Sequence, residues 1–204
     1  MPPELVTAND IMEVAFDGEV LSGDTRKPYL ERYIHGAVYE ALPDVKSVVH
    51  SHSRSVIPYS VTNERLRPVV HSCATIGSRI PVWDAHTVFG DTNMQIATVE
   101  MGRNPAKSPG QNNCALMRGH GCTVIGRSVR EAVYTAVYLE VNAGLQMQAS
   151  RFPPVKVLTE GEIEIICARL ADAKPGEGFD RAWEYWCRHA GVEAGLPVPD
   201  SAGA

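Results

Sequence analysis

The sequence predicts one α/β domain, and three observations predict it. Short β-branched runs such as residues 45–50 (VKSVVH) alternate with longer segments of helical periodicity. Ser128 precedes Glu131, and Thr159 precedes Glu162, by the three-residue spacing of a capping box, each at the head of a helical segment. Strand and helix signals intermix without a compositional break, so residues 1–194 read as a single domain and 195–204 as a loose tail.

Taken in order, residues 10–16 (DIMEVAF) read as a strand, and Asp17-Gly18 as a hairpin turn into a second short strand. Residues 28–42 read as a helix. Pro28 suits a first turn, Leu30, Ile34, Ala37, Val38 and Ala41 recur at helical spacing, and Pro43-Asp44 ends the run. Residues 45–50 form a strand and 53–62 a short helix, despite Pro58. Strands are expected at 66–70, 73–76 and 80–83, and a helix at 91–102. The polar, proline-bearing stretch 103–113 is a loop. Strands at 114–118 and 121–125 flank Gly119-His120. A long helix at 129–149 should bury Ala132, Val133, Ala136, Val137, Val141 and Leu145. A helix from Thr159 to about residue 173 follows. KPGEG breaks the chain, and a last helix at 179–190 carries Phe179, Trp183 and Trp186 before Gly191.

Composition narrows the class of function. The 204 residues suffice to bury a core, and 44% hydrophobic with 21% charged residues is ordinary for a globular chain. A net charge of −5 and scattered basic residues argue against nucleic-acid binding, which needs clustered Lys and Arg. Five cysteines without a CxxC pair read as free thiols in a reducing compartment. No apolar run approaches the ~18 residues of a membrane span, and the first residues lack a leader pattern, so a cytoplasmic protein is expected.

The chemistry-bearing signal is Val-Val-His50-Ser-His52-Ser. Residues two apart on a strand point to the same side, where two imidazoles can share a metal ion. Histidines at strand ends also serve in hydrogen-bonded turns, so the pair alone leaves both readings open. His120 lies between two glycines and two apolar strands, as a ligand or as an exposed turn histidine. Glu31 and His35 share a helix face. Alone, Glu31 reads as a solvated carboxylate or a partner of Arg32 or Lys27. Three imidazoles with one carboxylate would suit Zn²⁺ or Mn²⁺, with Co²⁺ or Fe²⁺ also accepted.

The runs ERYIHGAVYEALPDVKSVVHSHS, LMRGHGCTVIG and REAVYTAVYLEVNAGLQ together resemble the class II aldolase/adducin family, over roughly residues 4–150. The shared pattern is E-x-x-x-H on a helix, then P-D-V with a strand ending in H-x-H, then a distant H-G. The resemblance implies a three-layer fold with a central, mainly antiparallel sheet flanked by helices, and a homotetramer with sites at subunit interfaces. It implies metal ligation by His50, His52 and His120, an acid/base role for Glu31, and a structural or supporting role for His35. Within the family the chain looks most like decarboxylases of hydroxy-methylpyridine-dicarboxylate and dihydroxyphthalate. The features are HSHSRSVIPYSVT, LRPVVH and LMRGHG.

Aldol cleavage and decarboxylation share one problem, since each breaks a carbon–carbon bond and leaves electrons on carbon. A metal ion beside a substrate oxygen stabilises that charge as an enolate, and a general acid then protonates the carbon. For a hydroxy-aryl carboxylate, Glu31 in its acid form would deliver the proton, which requires a raised pKa. Arg118 is a candidate for a second substrate carboxylate or for a structural ion pair. Ser51, Ser53 and His71 are further candidate substrate contacts, with capping or turn roles as alternatives. His86 and His189 read as surface residues, and Tyr134, Tyr138, Trp183 and Trp186 as packing. A sugar-phosphate aldolase or epimerase is the competing enzyme. A non-catalytic adducin-type protein is disfavoured, because such domains lose the ligand set. The resemblance also implies a segment ahead of Met1, carrying a strand and a substrate-contacting loop. Its lack would leave an unpaired sheet edge.

Overall fold

The computed structural model describes residues 5–21, 23–110 and 112–192. Four strands form the sheet: β1 (Ser47–Ser51), β2 (Val82–Trp83), β3 (Cys114–Met117) and β4 (Gly121–Gly126), in the order β1-β4-β3-β2. β4 pairs antiparallel with β1 and β3, while β2 runs parallel to β3. All six residues of β4 are buried, as suits a strand with a neighbour on each edge and helices on each face.

Strand alternation sorts the core into two layers. Val48 and Ile125 point to one face and meet Ala37 and Val38 of helix α1 (Arg32–Ala41). Val49, Cys122, Val124, Cys114 and Leu116 point to the other, against Leu139 and Ala143 of helix α5 (Val129–Ala149). The shorter α2 (Ile57–Ser60) and a 3-10 helix (His71–Ile76) lie on the α5 side. On the other side, α4 (Val99–Arg103) packs against α1. Helix α3 (Ala85–Phe89) follows β2, α6 (Glu160–Ala171) covers the 3-10 helix, and α7 (Phe179–His189) lies against α5. There Tyr134 is buried among Tyr138, Phe179 and Trp186. The expected layout of a sheet flanked by helices is therefore present.

Several local expectations need correction. Residues 10–21 form a minimal hairpin, with one bridge between Val14 and Val20 around Asp17-Gly18. The helix expected from residue 28 starts at Arg32, because Tyr29–Glu31 make a turn first. Residues 73–76 belong to the 3-10 helix: they are buried and, Thr75 apart, apolar, and a short buried run does not distinguish strand from helix by periodicity. Residues 91–102 are helical only from Val99. Upstream, the Thr92 and Asn93 side chains accept from the backbone N–H of Met94 and Gln95 and fold a turn.

The largest departure concerns α5 and residues 66–70. That segment pairs with no strand among the described residues. Instead, α5 offers it two side-chain amides: Gln146 accepts from the Arg67 N–H and donates to the Arg65 carbonyl, and Asn142 accepts from the Val69 N–H and donates to the Arg67 carbonyl. These amides do what a neighbouring strand would do, so Asn142 and Gln146 are buried while Val137, Val141 and Leu145 stay partly exposed. Of the apolar stripe predicted for α5, Ala132 is buried and Ala136 packs against the core, whereas Val137, Val141 and Leu145 lie off the buried face. Among the described residues, no helix is long and apolar enough to cross a membrane.

Candidate metal centre

Three elements bring the expected residues together. Glu31 caps the N-terminus of α1, His50 lies in β1 with His52 just beyond it, and His120 sits in the β3–β4 turn. His50 lies opposite Thr123, with the parity of Val48, and so faces the α1 side. The turn depends on its glycines. Gly119 adopts φ 61°, and a Cβ on Gly121 would sit 2.3 Å from the Ser51 carbonyl oxygen and 3.1 Å from the His52 ring. Only glycine at 121 lets the hairpin close on the end of β1.

Glu31 is the meeting point. Its Oε1 is 3.0 Å from His120 Nε2, and its Oε2 is 3.3 Å from His50 Nε2 and 3.9 Å from His52 Nε2. The four ligand atoms lie within 4.8 Å of one another, a group that can hold a metal ion. Glu31, His50 and His120 are buried, whereas 57% of the His52 side chain is exposed, so the site opens to solvent on that side.

The donor set fits a cation. His50 Nδ1 is 3.1 Å from the Cys122 carbonyl, which accepts from Nδ1–H and leaves Nε2 as a bare lone pair. Burial pushes the His50 imidazole down to about 4, against the pull of Glu31, with His120 and His52 adding to the fall. Burial also lowers His120. Neutral rings of this kind are metal ligands. The 3.3 Å between His50 Nε2 and His52 Nε2 matches a tetrahedral edge of about 3.3–3.4 Å for Zn–N bonds of ~2.0–2.1 Å. Glu31 Oε1 is buried with no hydrogen bond of good geometry, although a histidine nitrogen lies next to it. Facing acceptors at that distance are held favourably by a shared cation or proton.

Burial by itself lifts the Glu31 carboxyl. The Tyr29 hydroxyl, which donates to Oε2 at 2.9 Å, then His120, His50 and the Ile96 backbone, outweigh it and hold the group below the usual range. The raised pKa expected for an acid is therefore not a property of the pocket by itself. His35 of α1 is placed near the Val48 backbone of β1, two residues before His50, and burial lowers its pKa.

Among the described residues, no hydrogen bond or ion pair joins the candidate substrate contacts to this cluster. Ser51 points to the opposite face, with its Oγ 3.4 Å from Cys122 Sγ. Ser53 donates to Glu140 of α5. His71 is exposed at the start of the 3-10 helix. Arg118 Nε lies 2.7 Å from Asp84 Oδ1, in the ion pair that was its alternative reading. His86 and His189 are at the surface. Three contributors escaped sequence reasoning: Tyr29, the Cys122 carbonyl and Glu140. Only Tyr29 left a signal, by standing two residues from Glu31.

The class II aldolase and adducin N-terminal domain matches residues 1–147. Decarboxylase tropJ of Talaromyces stipitatus is 33% identical over 96% of this chain and 80% of its own length. The 3,4-dihydroxyphthalate decarboxylase of a Terrabacter species is 27% identical, over 79% of this chain and 66% of its own. The chain spans about half the length of several other curated relatives, 52–55%. An aldolase II superfamily protein from Pseudomonas syringae shares the fold, with a TM-score of 0.67 and 23% identity over 91% of this chain and 72% of that one. The fold, the matched residues and the decarboxylase relatives agree: this chain belongs to the class II aldolase and adducin family.

Proposed function

We propose that this chain is a divalent-metal-dependent carbon–carbon lyase that removes CO₂ from a hydroxylated aromatic or pyridine carboxylate. The observation that carries the reading is the convergence of three imidazoles on Glu31, in a chain 33% identical to a protein named as a decarboxylase. His50, His52 and His120 are the ligands, with Zn²⁺ or Mn²⁺ preferred for this donor set. The bound ion supplies Lewis-acid polarisation of a substrate oxygen, which stabilises the electron pair left when the carbon–carbon bond breaks.

The rest falls to the chain's own groups. The Cys122 carbonyl keeps the His50 lone pair aimed inward. Glu31 carries the proton that replaces CO₂ on the ring carbon. Its carboxyl rests in the charged form, and a substrate carboxylate entering beside it raises its proton affinity, since like charges disfavour one another. The Tyr29 hydroxyl fixes which Glu31 oxygen is free. Arg118 can receive a second substrate carboxylate by exchanging Asp84 for it. A cytoplasmic homo-oligomer belongs to the same reading.

The test is to load the purified protein with metal and follow CO₂ and aldehyde release over hydroxylated aromatic dicarboxylates and small sugar phosphates. CO₂ release is expected, lowered by more than about 100-fold in His50→Ala as the ligand is lost. Aldehyde release without CO₂ would make the protein an aldolase instead.

A further inference from the structure

His50 is held by a carbonyl, but His52 has no such support. Among the described residues, the His52 ring has one hydrogen-bond partner, the His50 ring itself. More than half of its side chain is in solvent. Where His52 sits therefore depends on the backbone that carries it.

That backbone is fastened from the opposite layer. Glu140, in the middle of α5, accepts from the Ser53 hydroxyl, from the Ser55 hydroxyl at 2.5 Å and from the Ser55 N–H at 3.1 Å. Both of its oxygens are engaged, and Arg54 adds a favourable charge nearby. The Ser53 carbonyl then accepts from the Ile57 N–H at 3.1 Å and leads into α2. On its other side, the end of β1 is closed by the hairpin at Gly121. The bend that presents His52 is thus gripped between the β3–β4 turn and a carboxylate of α5.

We propose that Glu140 is a positioning residue for the metal centre: by binding Ser53 and Ser55 it fixes the turn that aims His52 at the ion. This rests on the reading of His50, His52 and His120 as ligands. Ser53 then works, with Ser55, as an anchor of a ligand-bearing loop rather than as a substrate contact. Three hydrogen bonds to one carboxylate make the loop a single rigid piece, since bonds to a charged acceptor are the stronger kind.

The experiment measures Zn²⁺ affinity by chelator competition, and Co²⁺ visible absorption, in the wild type, Glu140→Ala, Glu140→Gln, Ser55→Ala and His52→Ala. Glu140→Ala is expected to weaken Zn²⁺ binding by about tenfold or more, as loss of an outer supporting partner does. Its Co²⁺ spectrum should move toward that of His52→Ala. Glu140→Gln, which keeps an acceptor, should recover part of the affinity. Ser55→Ala, which removes the hydroxyl bond and keeps the backbone N–H bond, should show a smaller loss in the same direction and serves as the test if Glu140→Ala does not fold. Wild-type affinity and spectrum in both Glu140→Ala and Ser55→Ala, with loss in His52→Ala, would overturn the positioning role and leave the ligand set intact. A wild type without Zn²⁺ or Co²⁺ binding would overturn the ligand set, and this role with it.

Discussion

At His50, burial and hydrogen bonding act on different properties of one ring. The apolar surroundings decide its charge, and the Cys122 carbonyl decides its tautomer. Burial of a group whose charged form is disfavoured also links folding to pH. The folded-state value of about 4 lies below the ordinary histidine value of 6.5, so the unfolded chain takes up the proton more readily. The stabilising contribution is fully present above about pH 6.5 and is lost as pH falls through about 4. Glu31, also lowered from its ordinary value, acts in the same sense over a lower window. Metal-free protein should therefore lose stability to urea between pH 6.5 and 4, and His50→Gln should flatten that slope. Equal slopes in the two proteins would show that His50 titrates alike in both states.

At the scale of elements, what could be read from the sequence depended on whether the signal was local. The H-x-H placement follows from the two-residue period of a strand, and the α6 cap from a local exchange between Thr159 and Glu162, so both were legible. The turn at Thr92-Asn93 was legible in principle, because those residue types bond their own backbone. The buried face of α5 was not. Its polar members are buried for the sake of residues 65–69, more than seventy positions earlier, and no periodicity within the helix announces that. Replacing Asn142 by Leu keeps the branched shape, with larger end groups, but strands the Val69 N–H and the Arg67 carbonyl. At about 1–3 kcal/mol for a fully buried unpaired group, and less for part-buried ones such as these, the loss should be roughly 1–3 kcal/mol. Urea denaturation measures it, and a loss within about 0.5 kcal/mol, typical of neutral surface changes, would mean that the segment finds other partners.

Over the whole molecule, the four residues of the candidate centre come from three places that the chain joins only through its core. Glu31 begins α1, His50 and His52 end β1, and His120 caps the hairpin of β3 and β4. The helix-bearing layer and the sheet must both be in place before these atoms lie within 4.8 Å of one another. An ion held by His50, His52 and His120 as proposed would bind the folded chain and not the unfolded one, so its binding free energy would add to folding. At a free concentration one hundred times the dissociation constant, the gain is about 2.7 kcal/mol. For a chain of this length, about 1 kcal/mol moves the melting midpoint by ~2–4 °C, so Zn²⁺ should raise it by roughly 5–10 °C. A chelator should reverse the rise, and each further tenfold of free metal should add about 1.4 kcal/mol. His50→Ala should melt at one temperature with and without metal. If wild type does the same, the four side chains are a hydrogen-bonded cluster rather than a metal centre. If the variant responds as the wild type does, the stabilising ion sits elsewhere in the molecule.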